Sequence, residues 1–219
     1  MEAAVNFIEP GLGERIVRTS IRVIFAAAVS LSTAFAQVGE SVRQRFEAGL
    51  YDEALQLVTE RREQNTATAG DIYLAAQILL KLGQRDQAKL EAARLSERSD
   101  GVWRLVAQST VALIEDDTDH ALTTAEQAAA EGPDQFFALY QLGLAKATRE
   151  DWSGAAGAFA RASELDPAFA YARYHAGLSY SRIKRVDLTA VHFEAFLKLA
   201  PKAPERPAVE SIMRTLRGR

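Results

Sequence analysis

Small apolar residues recur along the chain with one fixed period. Alanine stands at equivalent positions at Ala54, Ala88, Ala121 and Ala155, and Thr189 follows, at intervals of 34, 33, 34 and 34 residues. Between these positions, apolar residues are spaced as one face of a helix requires, and polar residues separate the helical segments. A repeat of this length is typical of stacked helical pairs, each burying its apolar face against the next pair. The pattern therefore predicts an all-α array.

The last two units carry the clearest pattern. In the fourth unit the marker positions are Leu139, Leu142, Gly143, Ala155, Phe159, Ala162 and Pro167, and in the fifth Ala176, Gly177, Tyr180, Thr189, Phe193, Phe196 and Pro201. Small residues allow two helices to approach closely, an aromatic residue fills the gap to the next unit, and proline ends each unit because it cannot continue a helix. The third unit follows the same order and ends at Pro133, whereas the second turns at Asp100-Gly101.

These motifs resemble the tetratricopeptide repeat (TPR) family, specifically exported bacterial members. The resemblance implies a right-handed α-solenoid of about five helix-turn-helix units and a C-terminal capping helix. The units are placed near residues 37–68, 69–101, 102–135, 136–169 and 170–202, and the last helix in 203–219. In that helix Val209, Ile212, Met213 and Leu216 form one apolar stripe. The stripe suits a helix that caps the end of the array, with docking to a partner as the alternative.

The first 36 residues read as a secretory signal peptide. Arg15, Arg18 and Arg22 precede a short apolar run over residues 23–31, and Ala34-Phe35-Ala36 fits a cleavage site before Gln37. In a Gram-negative cell this predicts a periplasmic protein with no membrane span after cleavage. The alternative is an uncleaved membrane anchor, for which the run is short because a span needs about 20 apolar residues.

The net charge and the amino-acid composition disfavour or exclude several classes of function. The net charge is −3, which disfavours nucleic-acid binding because that normally needs a strongly basic face. The chain has no cysteine, so thiolate zinc sites and cysteine nucleophiles are excluded. His120 follows an acidic stretch at residues 115–119, which reads as a solvated turn with a helix N-cap rather than a cation site. With no recognisable catalytic, phosphate-binding or metal motif, the sequence predicts neither enzyme activity nor a cofactor.

The family resemblance places the first helix of each unit on the concave side of the solenoid. The residues that it assigns to a partner-binding groove are Tyr73, Gln77, Trp103, Phe137, Tyr140, Gln141, Tyr171, Tyr174, His175 and Arg182. Tyrosine and tryptophan suit recognition because they combine a large apolar area with a polar tip. The alternative is that these aromatic residues form core between neighbouring units. A chaperone-tail carboxylate clamp is disfavoured, since only Lys81 and Arg182 are cationic in the corresponding places.

The leading interpretation is therefore a non-catalytic periplasmic adaptor that binds a protein or peptide through this groove, within a system for envelope assembly or biogenesis. A small-ligand or glycan-binding accessory subunit of an enzyme or transporter is the second interpretation, in which the aromatic residues stack on sugar rings. An enzyme with an unrecognised site is the third. Neither the partner nor the oligomeric state follows from the sequence.

Overall fold

The fold is an array of helices joined by short turns. The computed structural model describes residues 42–218, so the predicted signal peptide and its cleavage site lie outside the described residues. Residues 42–47 are helical and are called α1. The further helices are α2 Tyr51–Glu63, α3 Ala69–Lys81, α4 Arg85–Arg98, α5 Gly101–Ile114, α6 Thr118–Glu131, α7 Phe136–Thr148, α8 Trp152–Leu165, α9 Ala170–Arg182, α10 Val186–Leu199 and α11 Arg206–Arg217. The predicted all-α solenoid with a C-terminal helix is confirmed.

The turn inside each helical pair has one conformation throughout the array. Its middle residue has a positive φ in every pair: 76° at Gly49, 75° at Gly83, 63° at Asp116, 62° at Glu150 and 61° at Lys184. In the left-handed region a side chain costs free energy that glycine does not incur. The repeat therefore exists in the backbone as well as in the sequence, and three of its five turns carry a strained residue.

At this turn position, replacing glycine with alanine is expected to lower the free energy of unfolding, and replacing a non-glycine residue with glycine is expected to raise it. A Cβ atom at Gly83 would have no neighbour within 4 Å, so Gly83→Ala should cost about 1 kcal/mol through backbone strain alone. Lys184→Gly should gain a similar amount, because it relieves the same strain. Urea unfolding followed by circular dichroism measures both. Equal effects of the same sign would contradict the shared turn conformation.

Close helix crossings explain the small residues of the repeat. A Cβ atom added to Gly143 would lie 2.6 Å from the Phe159 ring, and one added to Gly177 would lie 2.5 Å from the Phe193 ring. Both phenylalanines are fully buried. The two helices of a unit thus pack with an aromatic ring directly against the backbone of the partner helix. This is the arrangement that the pairing of small and aromatic residues predicts.

Gly143→Ala is expected to destabilise the fold by about 1–3 kcal/mol, because overpacking displaces the buried Phe159 ring. Gly157→Ala is the matched control: Gly157 is also helical, it is exposed, and an added Cβ would meet nothing within 4 Å. There the better helix propensity of alanine should stabilise by about 0.5–1 kcal/mol. Thermal unfolding of the two variants checks the opposite signs. A neutral or stabilising Gly143→Ala would refute the close crossing.

The C-terminal helix covers the last unit through its apolar stripe. Val209 and Met213 are buried, Ile212 and Leu216 are partly buried, and all four join a cluster with Phe193 and Phe196 of α10. Pro207 lies in the first turn of α11, where proline is tolerated because the N–H that it lacks has no helical partner. The contacts of α11 are therefore those of a helix that shields the apolar end of the array.

Candidate binding surface on the inner face

The first helices of successive units meet through aromatic side chains. The Tyr73 ring of α3 lies 5.0 Å from the Phe137 ring of α7 and 6.3 Å from the Trp103 ring of α5, measured between centroids. Phe137 in turn lies 5.7 Å from Phe169, which precedes α9. We call the side of the array formed by α1, α3, α5, α7 and α9 the inner face. Because α3 contacts α7 directly, two units along, the inner face is tightly curved.

The residues predicted to line a groove fall into two groups. Buried residues are Tyr73, Phe137, Tyr140, Gln141 and Tyr171, none with more than 7% of its surface exposed. Half-buried residues are Gln77, Trp103, Tyr174 and His175, while Arg182 is exposed. A buried side chain has no surface to offer a partner in this conformation, so the first group forms core between the units. The accessible part of the inner face is the second group.

A chain of buried hydrogen bonds holds three inner helices together. The Tyr73 hydroxyl donates to Oε1 of Gln141 at 2.8 Å, and Nε2 of Gln141 donates to Oγ of Ser109 at 3.0 Å. The Ser109 hydroxyl donates to the carbonyl oxygen of Ala121 at 2.8 Å. Each buried polar group thereby gains a partner, which its burial requires. Gln141, predicted as a groove residue, is a structural link between α3, α5 and α7.

Tyr73→Phe is expected to lower the free energy of unfolding by about 1–3 kcal/mol, since it leaves Oε1 of Gln141 buried without a donor. Replacing Gln141 with leucine in the same chain should recover part of the loss, because it removes the unpaired acceptor. Chemical denaturation of the single and double variants checks this coupling. Strictly additive losses would contradict the hydrogen bond.

Burial keeps three ring side chains of the inner face, His175, Tyr140 and Tyr171, neutral near pH 7. Burial, and secondarily the charge of Lys81, lowers the pKa of His175 to about 3. Burial also raises the pKa values of Tyr140 and Tyr171 far above their usual range, and nearby Glu205 adds to both shifts. His175 packs among these rings, 5.1 Å from Phe159. These three rings thus form an uncharged part of the inner face, and none of them is poised for proton transfer near neutral pH.

The first described helix contacts the junction of the fourth and fifth units across the inner face. The Phe46 ring lies 4.6 Å from the Tyr171 ring. The Arg43 guanidinium pairs with the carboxylate of Asp166, and Oε1 of Glu47 accepts a hydrogen bond of 2.7 Å from the backbone N–H of Ala170. We call these three pairs the closure contacts. They join residues 123 to 125 positions apart, so the array closes on itself.

Lys81 strengthens the closure from the end of α3. Its Nζ lies 4.5 Å from the centroid of the Tyr171 ring and 2.5 Å from Oε1 of Glu205, and the Tyr171 hydroxyl donates to Oε2 of Glu205 at 2.8 Å. Burial acts to raise the pKa of Glu205, but the hydrogen bond and charge of Lys81 outweigh it, so the pKa is lowered. Sequence reasoning identified Lys81 only as a cation, because no local signal pairs residues 124 positions apart.

Two other predicted features have simple structural roles. The exposed Arg182 places its guanidinium 5.3 Å from the ring centroid of Trp152 in the preceding unit, a cation–π contact. The carboxylate of Asp117 accepts from the backbone N–H of His120 at 3.1 Å, as the N-cap interpretation predicts.

Within residues 42–218, no group of three or more histidine or acidic residues is arranged to hold a metal ion. No helix of that region is long and apolar enough to cross a membrane.

Comparison with solved structures supports the repeat assignment. The chain is 19% identical to a thermophilic TPR protein of Thermus thermophilus, with a TM-score of 0.58 over 83% of this chain and 98% of that chain. It is 18% identical to YrrB, a TPR protein with an unusual peptide-binding site, with a TM-score of 0.49 over 80% and 90% of the two chains. For MamA from Desulfovibrio magneticus RS-1 the identity is 24% and the TM-score is 0.45, over 75% of this chain and 94% of that chain.

No protein-family model and no curated protein match the sequence. The fold is nevertheless defined by the helical pairs, by the recurrent left-handed turn and by the likeness to the Thermus protein over most of both chains. The chain therefore has the tetratricopeptide-repeat fold.

Proposed function

We propose that this chain is a non-catalytic adaptor that binds a segment of a partner protein on its inner face. One observation carries the proposal: beside the buried core of that face, Gln77, Trp103, Tyr174 and His175 keep part of their surface accessible. Such polar-tipped aromatic surface is typical of protein recognition. Tyr140 and Tyr171 are buried, so two of the rings that the glycan interpretation requires cannot stack on a sugar, which favours a protein ligand over a glycan.

The proposed site of action is the periplasm, within a system for envelope assembly or biogenesis. The support is the positively charged region, the short apolar run and the Ala34-Phe35-Ala36 motif at the start of the chain. Mass spectrometry of the protein purified from the envelope fraction tests the location. A mature N-terminus at Gln37 is expected. An intact N-terminus in a membrane fraction would instead support the anchor.

Affinity capture from an envelope extract tests the adaptor role. The baits are the full chain, an inner-face variant with Gln77→Ala and Tyr174→Ala, and an outer control with Gln87→Ala and Val191→Ala at exposed positions of α4 and α10. Circular dichroism must first show equal helical content. A protein held by the first and third baits but lost from the second supports the proposal. Equal capture by all three would overturn it in favour of another surface.

A further inference from the structure

Helix α1 presents two adjacent stripes of side chains to its surroundings. Val42 and Phe46, four residues apart, are fully buried in the cluster that contains Tyr171. Arg43 and Glu47, also four residues apart, make the two polar closure contacts. Gln44 lies on the exposed side of the helix. Residues four apart share one helix face, so α1 offers an arginine, an aromatic ring three residues later and a carboxylate four residues later.

The end of the fourth unit and the start of the fifth hold matching groups in fixed positions. The backbone N–H of Ala168 donates to Oδ1 of Asp166 at 3.1 Å, which leaves Oδ2 directed to Arg43. Phe169 is the N-cap residue of α9, and its side chain accepts no hydrogen bond from the first N–H groups of the helix. The first N–H groups of a helix need acceptors and favour an anion, and here the Glu47 carboxylate provides one from far along the chain.

The aromatic partner is held as firmly as the polar ones. The Tyr171 hydroxyl is bound by Glu205, and one face of its ring is covered by Lys81. Phe46 packs against the same ring, and Lys81 Nζ lies 5.9 Å from the Phe46 centroid. Three different kinds of contact thus lie side by side. The Asp166 carboxylate pairs with a guanidinium, the backbone N–H of Ala170 at the start of α9 donates to a carboxylate, and the Tyr171 ring packs against an aromatic side chain.

We infer that the inner face at the junction of the fourth and fifth units is a recognition site for a partner helix. Such a helix carries arginine, an aromatic residue at i+3 and a carboxylate at i+4, and α1 is a built-in competitor for the site. This inference rests on the proposed adaptor function and names its ligand. The partner displaces α1, which remains attached through the turn at Gly49. A tethered competitor acts at an effective concentration on the order of millimolar, so the resting chain binds weakly and selects against weak ligands.

A labelled peptide with the sequence of residues 39–50 serves as the probe, added to the full chain and followed by fluorescence anisotropy. With Arg43→Ala and Phe46→Ala in the protein, the peptide should bind about tenfold or more tightly than to the wild type, because the tethered competitor is weakened. Gln44→Ala, on the exposed side of the same helix, is the matched control and should change nothing. No gain in the weakened variant overturns the inference.

A charge exchange tests the site itself. Adding Asp166→Lys to the weakened variant should abolish peptide binding, and a peptide with Arg43→Glu should restore it. Binding that ignores residue 166 overturns the inference. If Phe46→Ala prevents folding, Arg43→Ala alone keeps the test valid, with a smaller gain in affinity and the same dependence on residue 166.

The peptide and capture experiments fail independently. A partner captured through the inner face, without any gain in peptide affinity, upholds the adaptor and overturns the helix specificity. Peptide binding that follows the charge exchange, without an inner-face partner in the extract, upholds the specificity of the site and overturns the adaptor.

Discussion

Asp71→Ala is expected to lower the free energy of unfolding by about 3–5 kcal/mol, because it leaves the charge of Arg61 buried without its carboxylate. Nη1 of Arg61 lies 2.8 Å from Oδ1 of Asp71, and both side chains are only 3% exposed. The same carboxylate closes the capping box of α3: its Oδ2 accepts from Thr68 N–H, while the Thr68 hydroxyl accepts from Asp71 N–H. The Asp71 side chain thus links α2 to α3 and also caps the N-terminus of α3.

Urea unfolding followed by circular dichroism measures this loss, and hydrogen exchange of α2 locates it. Asp71→Asn separates the two roles, since an amide keeps an oxygen for the cap but removes the charge. The matched control is Glu164→Ala, which breaks an exposed pair with Arg161 at 3.0 Å. An exposed pair is worth about 0–1 kcal/mol. A loss at Asp71 no larger than that of the control would refute the importance of the buried pair.

The second large effect is a pH-dependent gain in stability on replacing Glu47 with glutamine. Burial raises the pKa of Glu47 from 4.5 to about 7, although the Ala170 N–H and the charge of Arg43 oppose the shift, and Asp166 adds to it. The unfolded chain releases this proton near pH 4.5, whereas the folded chain keeps it to about pH 7. Wild-type stability therefore falls across this interval by about 3 kcal/mol, a loss that Glu47→Gln avoids.

The measurement is the difference in unfolding free energy between Glu47→Gln and the wild type at pH 4 and pH 8. The difference should move in favour of the variant by about 3 kcal/mol. Gln44→Ala, on the exposed side of α1, should keep the wild-type pH profile. A difference that stays constant with pH would mean that Glu47 is solvated, and hence that α1 does not pack against the fifth unit.

Local sequence was sufficient for the architecture. The alanine and glycine residues of the repeat lie where neighbouring helices contact each other. Gly143 and Gly177 each pack against the ring of an aromatic residue sixteen positions later. Such contacts repeat once per unit and involve only adjacent elements, so the residues that make them also repeat. The apolar stripe of α11 follows the same logic, since its partner is the preceding helix.

The assignment of the inner face needed more than periodicity. Tyr140 and Tyr171 fit the groove positions of the repeat, yet both are buried, whereas Tyr174 keeps accessible surface. Periodicity states which side of a helix a residue lies on. It does not state how tightly the array curves, which is the sum of small rotations between units. That curvature decides whether a residue on the inner side lines a groove or fills a core.

The repeat pattern alone thus defined the helices, their pairing and the side on which each residue lies, because each of these depends on neighbours within about one unit. The tertiary structure alone revealed the closure of the array, where Arg43, Phe46 and Glu47 contact the junction of the fourth and fifth units. These contacts occur once and join distant positions, so no periodic signal encodes them. They exist because the units add their rotations until the first inner helix reaches the last.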